Sequence, residues 1–124
     1  MPTTVVLTNN GKGQTAKQVA GTTSLPPRYI GSGTGSHTAA AADTALTTEV
    51  DSRVTGTPTT VTTTQTNDTY QCTGTYTPGA SRAIIEAGLF DAVSSGNMFV
   101  SATFDAINVT TADSISYTFK VQYS

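Results

Sequence analysis

Alternation of apolar and hydroxyl-bearing residues dominates the C-terminal part of the chain. Residues 114–123 place Ile115, Tyr117, Phe119, Val121 and Tyr123 on one side and Ser114, Ser116, Thr118, Lys120 and Gln122 on the other. A period of two fits a half-buried β-strand, whereas a helix would scatter these positions around its axis. Met98, Val100, Ala102, Phe104 and Ala106 alternate in the same way with Phe99, Ser101, Thr103 and Asp105, which predicts a strand of about nine residues. Residues 69–77 put Tyr70, Cys72, Gly74 and Tyr76 on one face. With 59–66 they flank Asn67-Asp68, a two-residue turn pair, and read as a hairpin. Residues 82–90 are apolar on both sides except at Glu86, the pattern of a strand in the middle of a sandwich.

The N-terminal half is less regular. Residues 3–8 form a short expected strand, followed by a turn at Asn9-Asn10-Gly11 and by a short helix or loop over 13–20 that Gly21 ends. Pro26-Pro27 excludes helix, and Arg28-Tyr29-Ile30 is an expected strand that stops at Gly31, Gly33 and Gly35. The one expected helix covers 38–50, where Ala39 to Ala42, Ala45, Leu46 and Val50 share a weakly apolar face; Thr44, Thr47 and Thr48 limit it to one or two turns. The expected fold is all-β, an antiparallel β-sandwich or jelly roll of about six to eight strands. One domain spans residues 1–124, with 1–25 as an extended arm, 26–58 rich in loops, and a change of character near Gly56-Thr57-Pro58.

Composition adds a surface to this frame. The 124 residues include 27 threonines but only 11% charged residues, so the exposed strand faces are neutral and hydroxyl-rich. The six cations, Lys12, Lys17, Lys120, Arg28, Arg53 and Arg82, are scattered, and the net charge is -2. Nucleic-acid binding needs a basic stripe that neutralises phosphates, so no nucleic-acid partner is expected. Cys72 is the single cysteine, which excludes an internal disulfide framework and predicts a small buried hydrophobe. Residues 1–25 lack the charged and apolar regions of a secretory leader, and no apolar run approaches the ~18 residues of a membrane helix, so no membrane partner is expected. The sequons at Asn67 and Asn108 read as by-products of abundant threonine.

Few residues offer chemistry. Asn10-Gly11-Lys12-Gly13-Gln14-Thr15 lacks both the glycine four residues before Gly-Lys and the hydroxyl directly after the lysine that a phosphate loop requires. The series Gly31-Ser32-Gly33-Thr34-Gly35-Ser36 has no strand–helix frame for a dinucleotide and reads as a flexible loop at a strand exit. His37 is the only histidine; Ser36 adjoins it, but no Gly-x-Ser-x-Gly elbow specifies a nucleophile, and it is expected in an exposed loop. Glu86 has no evident carboxylate partner for glycoside hydrolysis and is expected to be structural, meeting Arg28, Arg53 or Arg82 or capping a nearby loop. Asp43, Glu49, Asp51 and Asn67-Asp68 are too sparse for a calcium loop. No catalytic, cofactor or metal residue is assigned, no cofactor or small-molecule substrate is expected, and the chain reads as a non-enzyme.

Three stretches carry a resemblance. They are Pro27-Arg28-Tyr29-Ile30-Gly31-Ser32-Gly33-Thr34-Gly35, then Ala42-Asp43-Thr44-Ala45-Leu46-Thr47-Thr48-Glu49, and Ile85-Glu86-Ala87-Gly88-Leu89-Phe90-Asp91 followed by Phe104-Asp105-Ala106-Ile107-Asn108-Val109. In order and spacing, from about Pro27 to Val121, the chain resembles small structural proteins of tailed bacteriophages. The resemblance implies a virion protein, most of all a capsid decoration (cement) protein on the outer surface of the head. Its implied partners are the major capsid protein and further copies of itself, as trimers or dimers. A tail, baseplate or fibre component is the alternative within that group, and a carbohydrate-binding β-sandwich module is the alternative outside it. Residues 3–25 and the glycine series 31–35 are the expected contact regions.

Overall fold

The computed structural model describes residues 3–22 and 26–123. Eight strands and one helix run in the order β1 (Thr4–Leu7), α1 (Asn9–Ala20), β2 (Tyr29–Gly33), β3 (Glu49–Thr55), β4 (Thr57–Val61), β5 (Thr69–Tyr76), β6 (Arg82–Phe90), β7 (Met98–Val109) and β8 (Ile115–Gln122). They form two antiparallel sheets, one of five strands ordered β1-β7-β6-β2-β3 and one of three ordered β4-β5-β8. The expected all-β sandwich is therefore present, and β6 occupies the middle of the larger sheet as its two-sided apolar pattern predicts.

The inward faces interlock. Ile30, Ala87, Leu89 and Val100 of the larger sheet pack with Cys72 and Phe119 of the smaller one. Burial of such side chains contributes about 1.5–3 kcal/mol each relative to exposure. Cys72 is fully buried as expected, and burial pushes its thiol pKa up. A second cluster of Tyr76, Ile84 and Val109 closes one end of the core. The chain changes sheets at Gly56, between β3 and β4, where a Cβ would stand 2.5 Å from Cys72 Sγ. The change of character seen near Gly56-Thr57-Pro58 is this crossing.

Several local expectations need correction. The short helix that was one of two readings of 13–20 is present and ends at Gly21, but it begins at Asn9, where a turn was expected, and β1 pairs with β7 in register from Thr4↔Thr103 to Leu7↔Val100, so 3–22 are not an extended arm. Thr8 explains the helix: its Oγ1 accepts from Gly11 N (2.9 Å) as an N-cap while its hydroxyl donates to Met98 O (2.5 Å). At the other end Gly21 adopts the left-handed conformation (φ 74°), and the amides of Gly21 and Thr22 reach Gln18 O and Lys17 O. The glycine-rich helix is thus fixed by its ends and by tertiary contact. The rest of the expected arm, 1–2 and 23–25, lies outside the described residues.

Residues 38–48 are not helical, and Glu49 and Val50 already belong to β3. The amides of Ala39 and Ala40 go to Thr103 Oγ1 and Asp43 Oδ2, and those of Thr47 and Thr48 go to the Glu86 carboxylate, so none is left for an i−4 carbonyl. Strand β2 does not stop at the glycines but runs through Gly33. The 26–58 region therefore contributes two full strands and most of β4's start. The β4–β5 hairpin is present, with Val61↔Thr69 as its last pair and a longer loop than the two residues expected. In that loop Asp68 accepts from the amides of Thr63, Thr64 and Gln65, which hold its carboxyl well below the usual range.

Candidate functional site

The densest polar cluster lies on the outer face of the larger sheet. Residues 34–48 fold over that face as an Ω-shaped loop whose ends meet, Thr34 N donating to Thr48 O at 2.9 Å. Leu46 anchors the loop against Phe90 and Met98. This cover explains why β6 is apolar on both faces: one faces the smaller sheet and the other faces the loop.

Glu86 sits at the neck of the loop, fully buried. Its Oε1 accepts from Thr47 N (2.9 Å), and its Oε2 accepts from Gly35 N (3.0 Å) and Thr48 N (2.8 Å). A buried carboxylate is tolerable only with such donors around it. His37 lies between two acids, with Nδ1 3.2 Å from Glu86 Oε1 and Nε2 3.2 Å from Asp43 Oδ2. The same Asp43 oxygen accepts from Ser101 Oγ (2.7 Å) and Ala40 N (2.9 Å). Burial works to raise the Asp43 pKa, but the hydrogen bonds from Ser101, Ala40 and His37 outweigh it and hold the carboxyl below its ordinary value.

The glycine series belongs to this cluster. Gly33 pairs with Glu86 across β2 and β6, and a Cβ there would come within 2.3 Å of Glu86 Oε2; at Gly35 it would come within 2.8 Å. The glycines are required so that the backbone can approach the carboxylate. They are buried, which removes 31–35 as the contact loop expected of it. His37 is likewise no exposed loop residue, its side chain being 20% accessible. Glu86 takes the loop-capping role, while Arg53 and Arg82 pair elsewhere.

Arg53 grips Glu49 through Nε and Nη2 (2.8 and 3.0 Å), donates from Nη1 to Ala92 O and Ser95 O, and stacks 3.5 Å from the Phe90 ring centre. Arg82 makes two 3.0 Å bonds to Asp51, which also accepts from Tyr76 Oη and Gly79 N. Arg82 first and Tyr76 second hold the Asp51 carboxyl down at about 2. Because this folded value lies below the ordinary unfolded value of ~3.9, the unfolded chain binds more protons in acid. The Asp51 contribution is full above about pH 4 and is lost as pH falls through 2. Thermal melts from pH 5 to 2 are expected to lose less stability in Asp51→Asn than in the parent.

Chemically, the 34–48 cluster is a fastening. A hydrolytic triad orders hydroxyl, imidazole and carboxylate so that the imidazole takes the hydroxyl proton. Here the carboxylate of Asp43 stands between Ser101 and His37, and Ser101 is fully buried. Among the described residues no group of three His, Cys, Asp or Glu could hold a metal ion, and no helix is long and apolar enough to cross a membrane. Sequence reasoning weighed Asp43 only for calcium and Thr47 and Thr48 only as helix-weakening residues, and it missed Ser101; the signal that pointed towards the cluster was an acid in an apolar strand together with alternating glycines.

Two further clefts open on the described surface. One of about 450 Å³ lies beneath α1, between Val19, Pro27, Tyr70, Phe99 and Tyr123. The other, about 690 Å³, opens at the side of the sandwich between β1 and β8 and is lined by Val5, Ala102, Phe104, Tyr117 and Phe119. The chain matches no known family, no curated protein and no solved structure.

Proposed function

We propose that this chain is a non-enzymatic structural protein of a tailed-bacteriophage virion, a decoration protein that binds the major capsid protein on the outside of the head. The observation that carries the reading is where the three resembling stretches meet. Gly33 and Gly35 come from the first and Thr47 and Thr48 from the second, and all four lie against the buried carboxylate of Glu86 from the third, which Asp43 of the second reaches only through His37. Residues shared for such a reason preserve a fold, and the groups most able to do chemistry are used up in holding it. A neutral, threonine-rich exterior suits a protein that lies on another protein surface. Symmetric dimers or trimers would present several copies of that surface at one lattice point.

Cryo-microscopic reconstruction of particles from the phage encoding this chain tests the reading. Density of this fold at regular positions on the head is the expected result. Density confined to the tail assigns the protein to the tail, baseplate or fibre instead, and absence from purified particles removes both readings.

A further inference from the structure

We propose that the free edge of β8 takes up an extended segment of another polypeptide as a fourth strand of the smaller sheet. This goes beyond placement on a capsid and does not rest on it. The two sheets have four edges, β1 and β3 in the larger and β4 and β8 in the smaller. Natural sheets guard their edges against added strands by shortness, bulges, proline or charge. Strand β1 has only four residues, β3 is broken by a register shift and by Asp51 at φ 62°, and β4 carries Pro58. Of these guards strand β8 has only a single charge. It pairs with β5 over eight consecutive residues without a bulge, and Lys120 is its single charged residue.

The space beside β8 fits one strand. The larger sheet extends past β8 with β7 and β1, and the slot of about 690 Å³ lies between them. Val5, on the inward face of β1, is 58% exposed there. A strand added at the usual spacing of about 4.8 Å from β8 would point alternate side chains down onto Val5, Ala102 and Phe104. It would also satisfy the unpaired backbone groups of β8, which a lipid or sugar cannot do in series.

The occupant follows from the same geometry. A second copy pairing its own β8 here would bring its whole larger sheet to the side where β1 lies, whereas a free segment brings only its own strand into the slot. The segment must be free of its own covering sheet, with apolar residues at alternate positions inward and hydroxyl residues outward. Lys120 faces outward beside the slot and has no ion-pair partner among the described residues, so an aspartate or glutamate opposite it completes the match.

The probe is an N-acetylated, C-amidated octapeptide alternating valine and threonine, with one threonine replaced by aspartate, added to the full chain and followed by amide hydrogen exchange. Alternate amides of β8 are expected to gain at least tenfold protection, with β3 and β4 edge amides unchanged. Val5→Asp, at an exposed site that leaves the melting temperature in place, is expected to weaken peptide binding at least tenfold. Lys120→Glu is expected to disfavour the aspartate peptide and favour its lysine analogue. Unchanged β8 exchange, or equal binding by Val5→Asp, overturns the proposal. Concentration-dependent protection of β8 without peptide overturns it in favour of a second copy.

Discussion

Glu86→Gln is expected to lower stability by at least about 1–3 kcal/mol, the cost of stranding one buried backbone donor. Glutamine retains one acceptor oxygen and turns the other into a donor. Three backbone amides, from Gly35, Thr47 and Thr48, then compete for that oxygen, and at least one faces the new NH2 group. Each stranded buried donor adds about 1–3 kcal/mol. Denaturant titration measures the loss, and amide exchange locates it: the 34–48 loop should open before the sheets do. A loss below about 1 kcal/mol would mean that Leu46 and the sheet face hold the loop without the carboxylate.

Gly11→Ala and Gly13→Ala are expected to act in opposite directions, although both replace glycine by the best helix former two positions apart. Propensity alone favours alanine by about 1 kcal/mol at either site. At Gly13 nothing lies within 4 Å of the new Cβ, so that gain should appear as a higher melting temperature. At Gly11 the Cβ would stand 2.3 Å from Phe99 O and 2.8 Å from Leu7 Cδ1. A backbone oxygen in the neighbouring strand cannot turn aside, so α1 must lift off β7, at a net loss of about 1–3 kcal/mol typical of overpacking. Equal stabilisation by both substitutions would show that α1 does not sit against Phe99.

The contrast between these glycines shows what the residues alone could disclose. Strands β5, β7 and β8 were legible because their side chains alternate, and β6 because it is apolar on both sides, and both patterns are local properties. The position of α1 was not, because Thr8 caps it while bonded to Met98 O, and Gly11 suits it only because Phe99 O is near. The alanine-rich 38–50 stretch has helical spacing, yet its amides find side-chain acceptors on β6 and β7 that no local pattern announces. Glu86 and the Gly31–Gly33–Gly35 series were each conspicuous. What joined them was the register Gly33↔Glu86, a fact of strand pairing across more than fifty residues.

The pairing of β1 with β7 also bears on how the chain is made. The ribosome delivers β1 and α1 first, yet the carbonyls of Met98 and Phe99 that receive Thr8 come 90 and 91 residues later. Strand β2 must likewise wait for β6, and β5 for β8. Neither sheet can be completed until β7 and β8 have been made, and completion is slow, because non-local pairing is slow. Until then the apolar Val5, Val6 and Leu7 wait without their strand partner, a natural target for a chaperone during synthesis.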